Sequence, residues 1–121
     1  MKLITKPQRE QLIANFHKID AGRQTPDEYD VMPVVRIVTN YGKTTVLLTE
    51  IDPDYPHHGY GLCHFGGEPA YDFVDLEELS EPVDLKAHPL AIVFKRDRLW
   101  VPVKTLPEYL ADARKAGRIV F

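Results

Sequence analysis

Two runs rich in β-branched residues, "PVVRIVT" at 33–39 and "TTVLLTEI" at 44–51, stand four residues apart, with Asn40, Tyr41, Gly42 and Lys43 between them. Branched side chains suit the pleated, half-buried surface of a sheet, and Asn and Gly accept the positive φ of a tight connection. The spacing predicts a hairpin and excludes an all-helical chain. Ten prolines in 121 residues narrow the choice further, toward short elements joined by firm turns.

Helices are expected at the two ends. Thr5 and Gln8 stand at capping-box spacing around Pro7, where a hydroxyl and a side-chain amide satisfy two of the amides that a helix start leaves open. Leu12, Ile13, Phe16 and Ile19 then recur at helical period, up to Ala21 and Gly22. Thr105 and Glu108 repeat the pattern, with Leu106, Tyr109, Leu110 and Ala113 as the inward face and Gly117 as the stop. Residues 23–30, polar and proline-bearing, read as a loop.

Between them lie further strand candidates. "YGLCHF" and "YDFVD" bracket a turn of Gly66, Gly67, Glu68 and Pro69, and Asp75 caps a short helical turn around Leu79. "LAIVF" and "LWVPV" flank residues 95–98 as a second hairpin, with Pro102 placing the later strand at an edge. The expected fold is α+β, one domain over 1–121, with a mostly antiparallel sheet of five or six short strands between an N-terminal and a C-terminal helix. The apolar end Ile119, Val120 and Phe121 is expected to dock on the body; whether it instead seals a homodimer stays open.

No apolar run has signal-peptide length at the N-terminus, and none reaches the roughly 20 residues of a membrane helix. The expected location is therefore the cytoplasm, which one lone cysteine, Cys63, fits.

The stretch "DPDYPHHGYGLCHFGG" at 52–67 concentrates three of five histidines and the cysteine. Zinc needs three or four side chains converging on one point. His58 and His64 lie about 20 Å apart at strand rise, so they cannot grip one ion. Cys63 and His64 point to opposite faces and make no nucleophile–base pair. A metal-assisted or His-based hydrolase or nuclease using Asp54, His57, His58 and His64 stays as an alternative. The plainer reading is a turn fixed by Pro53 and Pro56, leading into a strand that Gly59 and Gly61 keep thin, with Cys63 buried. Ser80 is the only serine and sits in no nucleophile elbow, and no glycine run carries the Lys-Ser/Thr of a phosphate loop. No cofactor is expected.

Charge is distributed unevenly. Residues 50–85 hold ten carboxylates and no Lys or Arg, whereas 1–49 and 86–121 are both net basic and the whole chain carries −3. Either the basic ends neutralise the acidic middle, or the carboxylates stay outward and steer a cationic partner. The functional expectation is that Asp52, Asp54, Asp72, Asp75, Glu77, Glu78 and Glu81 dock on a basic surface of another protein. Direct nucleic-acid binding is the weaker idea at this net charge, although Lys95, Arg96 and Arg98 with Trp100 could make a small phosphate contact. The competing reading pairs Arg96 with a carboxylate and packs Trp100 in the core.

The "LLTEIDP" strand end, "GLC" before the Gly-Gly turn, the Arg96-Asp97 pair with an aromatic soon after and the helix at 105–116 together resemble a family of short bacterial proteins of unknown function, often encoded on plasmids and other mobile elements. The likeness runs from Met32 to Ile119. It departs at Asp72-Phe73, where family members carry a Gly before the aromatic. The resemblance implies no catalytic residue. It does imply a mobile-element setting, in which an acidic protein that occupies a nucleic-acid site would counter host defence.

Overall fold

The structure, a computed structural model, describes residues 3–21, 31–39, 44–65, 67–81 and 84–120. Its elements run α1 (Lys6–Ala21), β1 (Val35–Thr39), β2 (Thr45–Ile51), β3 (His58–His64), β4 (Ala70–Asp75), α2 (Leu76–Leu79), β5 (Phe94–Arg96) and α3 (Leu106–Ala116). The five strands form one antiparallel sheet in the order β4-β3-β2-β1-β5. The expected α+β class and both terminal helices are present. The 23–30 loop, the turn at 40–43, Gly22, Gly66 and Phe121 lie outside the described residues.

Both sheet faces are covered. Val35, Ile37, Val46, Leu48, Ile51, Cys63 and Val74 point to one side, where Leu12 of α1 joins them. Leu47 and Leu62 point to the other and meet Leu106, Tyr109 and Ala113 of α3, with Ile119 closing the cluster. The docking expected of the apolar C-terminus is thus visible at Ile119, which is buried.

Each helix start follows its sequence signal. The Thr5 amide donates to Gln8 Oε1 at 2.9 Å and the Gln8 amide to Thr5 Oγ1 at 3.2 Å. At α3 the Thr105 amide donates to Glu108 Oε1 at 3.0 Å, and Gly117 ends the helix at φ 74°. Those hydrogen bonds from Thr105 also hold the Glu108 carboxyl below the usual carboxylate range.

Two expectations change. On α1 the buried stripe is Leu12, Asn15 and Ile19, while Ile13 and Phe16 are only partly covered. Asn15 earns its burial by donating Nδ2 to the Thr49 carbonyl at 2.9 Å and accepting from Gln11 at 2.9 Å. Thr49 is the extra residue where the β2–β3 register shifts between Leu48 and Glu50, so the asparagine satisfies a carbonyl at a bulge. The second hairpin does not form. Only Phe94–Arg96 is strand, and it pairs with β1 instead of with residues 99–103. The Asp97 amide donates to the Arg36 carbonyl at 2.8 Å, and Arg36 Nη1 bonds Asp97 Oδ2 at 2.9 Å. Those long-range bonds hold β5 on β1, while Pro102 has no amide to give a ladder.

Gly61 fixes the spacing of the two central strands. A Cβ there would overlap the Leu47 carbonyl oxygen and stand 2.8 Å from its carbon, all rigid backbone. Gly67 has nothing within 4 Å of the same position. Gly61→Ala is therefore expected to lose about 3 kcal/mol or more, or fail to fold. Gly67→Ala should stay within about 0.5 kcal/mol of the parent. Urea unfolding of the two variants side by side checks both values.

Candidate functional site

The turn after β2 and the short helix after β4 meet at one end of the sheet. Asp52 closes the turn twice, its carbonyl accepting from the Tyr55 amide at 2.9 Å and its Oδ1 from the Asp54 amide at 2.9 Å. The two prolines leave few other conformations. The chain then enters β3, where His58 stands opposite Asp75 in the β3–β4 register. The Leu76 amide donates to the His57 carbonyl at 2.7 Å, locking α2 against the turn. Asp75 caps α2 as its spacing predicts, accepting from the Glu77 and Glu78 amides at 3.0 and 3.1 Å.

The seven carboxylates singled out from sequence therefore fall into two groups of three, with Glu77 apart. Asp52, Asp72 and Asp75 each hold a backbone amide of their own chain; Asp72 Oδ1 accepts from the Phe73 amide at 2.7 Å. Among the described residues, the side chains of Asp54, Glu78 and Glu81 make no hydrogen bond or ion pair and are exposed. Glu77, also exposed, lies 3.2 Å from His57 Nδ1. Glu50, by contrast, is buried.

Lys6 and Arg9 reach this end, where they line a cavity with His57 and Glu77, but neither pairs with its carboxylates. Among the described residues, no Lys or Arg forms an ion pair with Asp54, Asp72, Glu77, Glu78 or Glu81; Arg36 pairs with Asp97, Lys104 with Asp112, and His57 with Glu77. Arg96 was expected to meet a carboxylate, and it is its neighbours in space and sequence, Arg36 and Asp97, that do so. Trp100 is partly buried with its ring 6.1 Å from that of Tyr109, as the core reading expects.

The histidines do not converge. His57 and His58 are exposed at the head of β3, and His64 is buried at its far end. Among the described residues, no three His, Cys, Asp or Glu side chains stand where they could hold a metal ion. Cys63 is buried, and burial pushes its thiol up to about 12 from the ordinary 9.0.

Sequence reasoning missed the apolar exposure of the segment before α3. Leu90, Leu99, Val101 and Val103 are 83%, 93%, 71% and 72% exposed. Their alternation with Trp100 and Pro102 was legible, but it was read as a strand. Phe73 beside Asp72 is likewise exposed, its ring 4.8 Å from that of Tyr60.

These features define a small α+β protein with an antiparallel sheet between two helical layers. The chain belongs to the family described as "Protein of unknown function (DUF2958)", which matches residues 3–120. No curated protein and no solved structure matches it. Among the described residues, no helix is long and apolar enough to cross a membrane.

The protonated Cys63 thiol favours the folded state fully below pH 9.0, and that contribution falls as pH rises from 9.0 toward 12. Urea unfolding on either side of pH 9.0 should show a loss that Cys63→Ala lacks. A thiol reagent should label Cys63 only after unfolding.

Proposed function

We propose that this protein is a non-enzymatic binding module of a bacterial mobile genetic element, working in the cytoplasm. Its acidic end docks on a basic surface of another protein and thereby inhibits a host defence or nucleic-acid-handling complex. The observation that carries the reading is the exposure of Asp54, Glu77, Glu78 and Glu81 around the α2 end of the sheet, with no Lys or Arg paired to them among the described residues. Like charge that is not ion-paired steers a cationic surface by long-range attraction. Phe73, exposed on β4 two residues before the α2 cap Asp75, would add apolar contact area. The family membership is neutral on this point, because the family carries no assigned activity.

A second reading, a small His-based hydrolase, draws on the His57–Glu77 contact of 3.2 Å. A carboxylate beside an imidazole is the base half of a catalytic pair. Ser80 is the nearby hydroxyl, but it donates to the Glu77 carbonyl at 3.1 Å. The observation favours a held imidazole more than a nucleophile.

The test separates charge from fold. The side chains of Asp54, Glu78 and Glu81 bear no structural hydrogen bond, so their joint reversal to lysine is expected to keep the circular-dichroism spectrum and unfolding midpoint. Affinity capture from host lysate should recover a basic protein that the parent retains at low salt, releases at high salt, and that the triple variant does not retain. A partner held equally by the triple variant, or insensitive to salt, rules the docking surface out.

A further inference from the structure

Where the head of α1 meets α2 and the turn before β3, a cavity of about 440 Å³ opens, lined by Leu3, Ile4, Lys6, Arg9, His57 and Glu77 among others. Its size falls within the range of small-ligand sites, and its composition is that of one: apolar floor, few polar groups. We propose that this cavity binds a small organic phosphate monoester, its apolar body on Leu3, Ile4 and Leu76 and its phosphate against Lys6, Arg9 and His57.

The walls are anchored from three elements. Arg9 Nη1 donates to the Pro56 carbonyl at 2.7 Å, which fixes the guanidinium against the turn and leaves four further N–H donors. The His57 carbonyl accepts from the Leu76 amide at 2.7 Å, and His57 Nδ1 lies 3.2 Å from Glu77 Oε1. Side chains held this way lose little freedom when a ligand arrives. Lys6 and Arg9 stand three residues apart and so share one face of α1.

The helix terminus itself does not make the site. Gln8 and Thr5 already satisfy each other's amides, and Pro7 has no amide to give. Recognition falls to side chains. Lys6 and the anchored Arg9 line the cavity with one carboxylate, Glu77, which leaves net positive charge for an anion. The choice among anions follows from charge and oxygen count. A phosphate monoester carries about −1.5 to −2 charge near pH 7 and three acceptor oxygens, enough to meet Lys6, Arg9 and His57 together. A carboxylate brings one charge and two oxygens, and satisfies fewer of them.

The probe is phenyl phosphate, followed by NMR on the full chain. Shifts are expected at Lys6, Arg9 and His57, with an affinity that Lys6→Gln weakens about tenfold through loss of one charge-assisted contact. Lys6 is exposed, so that variant should fold; unchanged amide shifts elsewhere confirm it. Lys95→Gln, on β5, should bind as the parent does. Inorganic phosphate should bind more weakly than phenyl phosphate, since it leaves the apolar floor uncovered. No shifts at millimolar phenyl phosphate, equal affinity for benzoate, or binding indifferent to Lys6→Gln would each overturn the assignment.

Discussion

All seven residues of β2 are buried, so an antiparallel sheet that could have kept one face in water has to be covered on both at its centre. That demand accounts for the two helices lying on opposite sides. α1 brings Leu12 to Val46, Leu48 and Ile51, and α3 brings Leu106, Tyr109 and Ala113 to Leu47 and Leu62. Each such aliphatic side chain contributes about 1.5–3 kcal/mol when fully removed from water. The close approach of β3 to β2 is possible only because Gly61 carries no side chain. β2 also holds the bulge at Thr49, and the carbonyl it leaves off the ladder is answered by Asn15 from the helix above. A polar residue at the centre of an apolar stripe is thus part of how α1 is registered on the sheet.

Local signals were legible, and long-range ones were not. The caps at Thr5, Asp75 and Thr105, the stop at Gly117 and the strands through 33–51 follow from interactions within a few residues, and all are present in the fold. The second hairpin failed because its alternation is compatible with two partners. The choice between them was made by Arg36, 61 residues from Asp97. Asn15 was invisible for the same reason: nothing within its own helix announces the Thr49 carbonyl. Of the candidate site, the charge imbalance could be counted from the sequence, and so could the capping role of Asp75. That Asp52 and Asp72 also bond backbone amides depends on turn and edge geometry that composition does not carry.

The charge distribution has a physical logic independent of any partner. Two of the chain's basic residues have carboxylate partners of their own, Lys104 with Asp112 and Arg36 with Asp97. Pulling them across to the acidic end would give up these contacts for exposed pairs that are worth little in water. The carboxylates therefore stay solvated, and the end of the sheet keeps its sign. Solvation alone would account for that arrangement. The proposed docking would use it further, since a cationic partner would supply the pairing that these carboxylates lack among the described residues.

The strand at that edge limits how such a partner could bind. β4 is the last strand of the sheet, and an open edge is ordinarily a template for another chain's backbone. Here Asp72 turns its carboxylate onto the Phe73 amide at 2.7 Å, so one donor of the edge is already taken by a charge that any incoming strand would also have to desolvate. Backbone pairing at β4 would give up that bond and bury an uncompensated carboxylate, at a cost of several kcal/mol. A cation arriving from solution meets no such barrier, because it neutralises Asp72 without displacing it. The proposed docking would accordingly run through side chains, Phe73 and the carboxylates of the α2 end, and through them would inherit the sensitivity to ionic strength that a strand-addition complex would largely lack.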